Sequence, residues 1–218
     1  LAALDAGDSD LAALARAEWD AVQRFVGACA ALTQARSAAA AALDSAMAGE
    51  LAPLKMDRAV FKTVIAPADP GPEGADAVTF EVATNPGAPA GALNKIASGG
   101  ELSRFLLALK VCLSRGNSGV TMIFDEIDRG VGGATADAVG RRLRGLAQGA
   151  QVLVVTHSPQ VAALGAHHWR VEKSVSGGQT LSRVARLSAG ERVDEIARML
   201  SGDTVTQAAR GAAQALIG

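Results

Sequence analysis

With 218 residues, 49% hydrophobic and 20% charged, the chain has the apolar content for a domain with a real core and reads as globular rather than disordered. No run approaches the roughly 18 apolar residues of a bilayer span, and no basic-then-apolar leader opens the chain. A formal net charge of −1 gives no overall pull toward nucleic acid, so DNA contact needs a local patch, and 3% aromatics argue against a base-stacking surface. Cys29 and Cys112 are far apart, with neither metal-ligand spacing nor a disulfide framework, as expected in a reducing cytoplasm. The first residue is Leu1 rather than Met, so a segment of a longer protein is expected.

Residues 9–52 contain almost no helix breakers beyond Gly27 and Gly49. Val22, Phe25, Cys29, Leu32, Ala39 and Leu43 fall at three- and four-residue steps, and the step expected at Arg36 is missed. This predicts an amphipathic helix with an imperfect heptad seam, either a long surface helix or one strand of an antiparallel coiled coil. Pro53 ends it. Residues 60–66 and 78–84 read as strands around a turn-rich stretch at 68–74. Residues 102–113 read as a helix, 120–124 as a buried strand, 134–147 as a helix with Val139, Leu143 and Leu146 on one face, and 151–155 as a second buried strand. Residues 169–172 and 181–187 read as antiparallel strands, and 192–200 and 205–217 as closing helices. Hydrophobic strands alternating with helices predict an α/β fold with a parallel sheet core and right-handed crossovers.

Three stretches can carry chemistry. The first is the apolar strand ending in Asp125 and Glu126. Two adjacent acids at the carboxyl edge of a sheet sit where open α/β sheets bind ligands. They suit a cation and a water between them and a phosphate, with Asp125 on Mg²⁺ and Glu126 orienting the water. On its own this motif is weak, and a solvated loop fits it as well. The second is Lys95 to Glu101, where Ser98 can cap the following helix and Glu101 stands at capping-box spacing. Gly99 and Gly100 leave backbone N–H groups uncovered at a positive helix end, which suits a phosphate; alone, an ordinary capped helix is the better reading. The third is Thr156-His157-Ser158-Pro159, which places His157 on the same sheet edge as the acids, within reach of a terminal phosphate or attacking water. A lone His after a strand is more often structural, and so are His167 and His168, which have no acid or Cys cluster nearby.

Order decides between these readings. A Ser-Gly-Gly-Glu helix start comes first, then the strand with Asp125 and Glu126, then Asp128, then the strand with His157. This is the order of the signature, Walker B, D-loop and switch histidine of ABC ATPases, and the chain resembles that superfamily. Leu93 to Arg104, Phe124 to Gly133, and Val155 to Ala163, with Glu195 to Leu200 near the end, resemble the RecN family of bacterial SMC-like double-strand-break repair proteins over nearly the whole chain. Ala97 stands where the generic ABC signature has Leu, which is usual for this family.

The resemblance implies the C-terminal lobe of an ABC/SMC-type P-loop ATPase head at 53–218, with flanking helices and some antiparallel strands. It is preceded at 1–52 by the returning helix of an antiparallel coiled coil. It implies ATP and Mg²⁺ as cofactors, with Asp125 holding Mg²⁺ through water, Glu126 as general base and His157 at the γ-phosphate. Ser98, Gly99, Gly100 and Glu101 would meet nucleotide held by a second head, and Asp128 would cross the head–head interface. ATP would join two heads, and hydrolysis would release them. No G-x-x-x-x-G-K-[ST] occurs, so a Walker A from the N-terminal half of the same protein is implied, and this segment alone should not turn over ATP. Implied partners are that half, a second identical head, and DNA with double-stranded ends or single-stranded overhangs, in the cytoplasm with the nucleoid and with no membrane. Three alternatives remain open: another SMC-like or transporter ATPase, a non-hydrolysing scaffold, and a plain DNA-binding module using Arg104, Lys110 and Arg115.

Overall fold

The computed structural model describes residues 2–96, 99–114, 119–176, 179–202 and 204–218. Helix α1 (Ala2–Leu51) is 50 residues long, about 75 Å at 1.5 Å per residue. It gives way to a 3₁₀ turn (Ala52–Leu54), where Pro53 cannot continue the α-helical ladder. Residues 10–28 are exposed on every face, whereas Ala40, Met47, Glu50 and Leu51 are buried. The helix therefore projects at one end and is part of the core at the other.

Strands β1 (Val60–Gly71), β2 (Gly74–Ala83) and β3 (Gly91–Ala92) form an antiparallel sheet in that order. The hairpin is longer than the sequence pattern predicts: its strands run through Pro67 and Pro70 into what reads as a turn. Among the described residues β1 pairs with β2 alone, and the pairing shifts register between Pro67 and Gly71, so the ladder is interrupted where the prolines, which have no N–H to give, fall. The hairpin tip is strapped to α1. Thr33 Oγ1 donates to the two Asp76 oxygens at 2.9 and 2.8 Å, and Arg36 donates to Asp76 at 3.2 Å and to the Glu73 carbonyl at 2.8 Å. Arg36 breaks the apolar seam because its place on α1 faces a carboxylate.

A short helix α2 (Leu93–Ile96), which the sequence pattern does not predict, precedes α3 (Gly99–Ser114). Then come β4 (Thr121–Asp125), α4 (Gly133–Leu146) and β5 (Gln151–Val155). The two strands pair in parallel, Thr121 with Gln151 through Asp125 with Val155. Both read as buried in the sequence, yet each alternates. Phe124 is buried, while Ile123 is 66%, Leu153 48% and Val155 51% exposed. Among the described residues this sheet has two strands, so one face rests on the helices and the other is open.

After β5 a second unforeseen short helix, α5 (Pro159–Ala163), leads to the antiparallel hairpin β6 (Trp169–Ser176) and β7 (Gln179–Arg186). Helices α6 (Ala189–Ser201) and α7 (Gln207–Ile217) close the chain. Ser188 and Glu191 form a reciprocal capping box at the start of α6.

One core cluster joins α1, the hairpin, α3, β4 and α4 through Met47, Leu51, Phe61, Val82, Phe105, Leu107, Phe124 and Val139. A smaller one joins α5, α6 and α7 through Ala163, Ile196, Ala197 and Ala213. Between α1 and α4, the buried carboxylate of Glu50 pairs with Arg142. No helix among the described residues is long and apolar enough to cross a membrane.

Candidate functional site at the edge of the parallel pair

Parallel pairing in register brings the ends of β4 and β5 to one edge, so the residues that follow each strand leave it side by side. The Glu126 N–H adds one further rung, donating to the Val155 carbonyl at 3.0 Å. Glu126 has φ +49°, a left-handed backbone that a non-glycine residue holds only when its surroundings demand it, and such strain gathers at functional sites. Here the rung before it and the turn after it impose the conformation. His157 Nε2 lies 3.5 Å from one Glu126 oxygen and Arg129 lies 3.5 Å from the other. Both contacts are too long for firm hydrogen bonds. The His157 side chain is 86% exposed and that of Glu126 43%, so the carboxylate and imidazole face solvent together.

These groups border an open cleft of about 680 Å³, which also takes in the loop at 130–133 together with Met199 and Leu200 of α6. Gly130 and Gly133 adopt φ +76° and +53°, which lets the loop turn sharply and start α4. The start of α3 packs against this loop. A Cβ on Gly100 would lie 3.3 Å from Val131 and 3.4 Å from the Arg129 carbonyl, so glycine permits the approach. Gly99 beside it is exposed and has open space around it. Ser98 lies outside the described residues. Glu101 sits in the first turn of α3, half-buried.

Asp125, the last residue of β4, is exposed at the same edge. Among the described residues no three His, Cys, Asp or Glu side chains converge as a metal cage. A single exposed carboxylate fits a hydrated Mg²⁺ that takes its remaining ligands from phosphate and water, and does not fit a site built from protein alone. Asp128, expected to cross the head–head interface, is turned inward, 6% exposed, and accepts a hydrogen bond from the Thr156 hydroxyl. Thr156 and Arg129 are thus part of the site although no chemical role for them follows from the sequence pattern. Thr156 does leave a signal, a hydroxyl two residues before an N–H in a Ser-Pro turn.

Two of the three residues of the basic patch considered from the sequence lie among the described residues. Arg104 is spent on backbone carbonyls, donating to those of Leu54 at 3.1 Å and Lys55 at 3.2 Å. Lys110 stands over the Phe124 ring at 5.8 Å, and Arg115 lies outside the described residues. His168, read as structural, is half-buried; burial and the nearby Arg192 hold its pKa below the ordinary histidine value.

The chain is 41% identical over 189 residues to DNA repair protein RecN of Vibrio cholerae, covering 86% of the chain and 34% of that protein. It is 46% identical over 158 residues to DNA repair protein RecN of Rickettsia prowazekii (72% and 28%) and 43% over 171 residues to that of Xylella fastidiosa (77% and 31%). It therefore spans about a third of the length of these curated relatives. No protein-family profile matches. A chain from work on ATP-driven dimerization and DNA-stimulated activation of SMC ATPases superposes with a TM-score of 0.56 at 16% identity, over 78% of this chain and 99% of that one. The Smc head domain with a coiled coil and joint from Pyrococcus yayanosii gives 0.56 at 20% identity, over 71% and 28%. The fold is that of an SMC head lobe.

Proposed function

We propose, on the premise that the chain is a RecN-like segment, that it is one lobe of an SMC-like ATPase head in a protein that repairs DNA double-strand breaks. The observation that carries this reading is the meeting of Asp125, Glu126 and His157 at one sheet edge, with the glycine-rich start of α3 packed on the loop that follows. Three separated stretches of sequence, 126–133, 157–160 and 199–200, border a cleft there large enough for a nucleotide's phosphates.

In this reading Asp125 would hold the Mg²⁺ that accompanies ATP, a cation that would supply charge neutralisation to the phosphates. Glu126 orients the attacking water and accepts its proton, which its open carboxylate permits. His157 donates to a γ-phosphate oxygen. Gly99 and Gly100 offer backbone N–H groups at the positive end of a 16-residue helix to nucleotide on a second head. Phosphate loss removes those charge-assisted bonds and lets the heads part.

Two further features support the implied partners. The open face of the parallel pair presents Ile123, Leu153 and Val155 and suits a lobe from the same protein bearing Walker A. The projecting part of α1 exposes Leu11, Leu14, Trp19, Val22 and Phe25 and suits the other strand of a coiled coil. DNA, as double-stranded ends or single-stranded overhangs, is the substrate on which the heads act, in the cytoplasm at the nucleoid. The test is ATP turnover by the intact protein, with and without DNA. Glu126→Gln should lower kcat by at least ~100-fold while ATP binding persists. Undiminished turnover in that variant would refute the assignment.

A further inference from the structure

Beyond the Glu126 rung no further backbone bond joins the two strand ends among the described residues. Among the described residues the side-chain hydrogen bond that does join them is made by one hydroxyl. Thr156 Oγ1 donates to the buried Asp128 carboxylate and accepts the Ser158 N–H at 2.9 Å. His157 lies between these two anchored residues. Its own side chain is 86% exposed, and its contact with Glu126 is a loose 3.5 Å. With the imidazole this open, its place is set by the backbone on either side.

We infer that Asp128 and Thr156 form a clamp within one head that positions His157 against Glu126. The inference rests on the catalytic reading above and deepens it. Asp128 accepts the bond on the β4 side, where its carbonyl also takes the Val131 N–H at 3.2 Å and so starts the glycine-rich turn. Thr156 carries the bond to the β5 side and, through Ser158, sets the turn that leads into α5. A carboxylate buried to this degree needs such a donor, and a threonine that serves two bonds at once has one orientation. The clamp thus ties the loop that meets α3 to the turn that bears the imidazole. Asp128 and Thr156 touch no reacting atom; they are positioning residues.

The test compares Thr156→Val, Thr156→Ser, Asp128→Ala and Asp128→Asn in the intact protein, beside Glu126→Gln. Valine and alanine should lower kcat by ~10- to 100-fold, the cost of a small misplacement of a catalytic group, with KM for ATP little changed. Serine keeps the hydroxyl and asparagine an acceptor oxygen, so both should recover most of the rate. The Thr156→Val, Asp128→Ala double variant should be no slower than the slower single one, since both remove the same bond. Independently of any variant, the wild-type Ser158 amide should exchange at least ~10-fold more slowly than a free amide. Exchange at the free rate would overturn the clamp. So would a folded Thr156→Val with wild-type kcat while Glu126→Gln is inactive, an outcome that leaves the catalytic reading standing. A Glu126→Gln protein that turns over normally would overturn the catalytic reading and the clamp's role with it.

Discussion

Beside the apolar core shared by α1 and α4 stands a buried ion pair whose loss has a size that can be worked out. Glu50 is in the last turn of α1 with its side chain 2% exposed, and Arg142 of α4 pairs with it while remaining 31% exposed. Replacing Arg142 by Met strips the buried carboxylate of its arginine. Breaking a buried pair from one side costs about 3–5 kcal/mol, and the part-solvated Arg142 places this case at the lower end, about 3 kcal/mol. In a chain of 218 residues, at roughly 2–4 °C per kcal/mol, the melting temperature should fall by about 6–12 °C. Glu50→Leu added to Arg142→Met refills the space with apolar volume and should regain most of that loss. Thermal unfolding followed by far-UV circular dichroism at pH 7 reads both. If Arg142→Met melts within about 2 °C of wild type, or the double variant melts below the single one, the pair does not carry the stability worked out for it.

Stability should also fall with acid. In Glu195, burial raises the carboxyl's pKa, but hydrogen bonds and charge from Arg198 and Arg170 outweigh it and hold the pKa below the usual value. The folded state therefore favours ionised Glu195, and its contribution, complete above the unfolded pKa, is lost as pH falls through the folded value. His168, also depressed, favours the neutral ring when folded, so its contribution begins to fade below its unfolded pKa of about 6.5. Melting temperatures between pH 7.5 and 5 should decline, and His168→Gln should flatten that decline; an unchanged slope would dismiss His168 as its source. At the hairpin, Asp76→Ala leaves Thr33 and Arg36 without their carboxylate and should cost about 2 kcal/mol in denaturant melts. Amide exchange should quicken at the tip around Glu73 and Gly74, and uniform loss of protection across the chain would place the effect elsewhere.

Helices and strands with strong periodicity were legible to within a few residues, because burial on one face leaves its period in the sequence. Val139 and Leu143 on α4 show it, as does the register of β4 and β5 that carries Glu126 and His157 to one edge. What the pattern could not show depends on distant neighbours. Ile123 and Leu153 look like core residues by composition, yet their exposure turns on whether another strand or helix covers them. Arg36 looks like a fault in a heptad until Asp76, 40 residues on, is seen beside it. Pro70 reads as a turn residue because the shift of register at the end of the β1–β2 ladder is a property of the sheet. The left-handed backbone of Glu126 has no sequence signal either, since glutamate does not favour it. Thr156 sits in plain view beside His157, and only the buried Asp128 gives it a role.

The claim on which the rest depends is that each active site takes its acid from one head and its glycine-rich helix start from another. Gly99 is exposed, with nothing within 4 Å of where a Cβ would stand, so Gly99→Asp should fold while setting a negative charge against the incoming phosphate. Glu126→Gln disables the other element. Each variant alone should be inactive in the intact protein. Mixed in equal amounts and allowed to exchange, half of the dimers pair one of each. In such a pair one site of two has an intact Glu126 and an intact Gly99, so turnover should return to about a quarter of wild type. A mixture as inactive as its components, with exchange of heads demonstrated, would contradict a site shared between two heads.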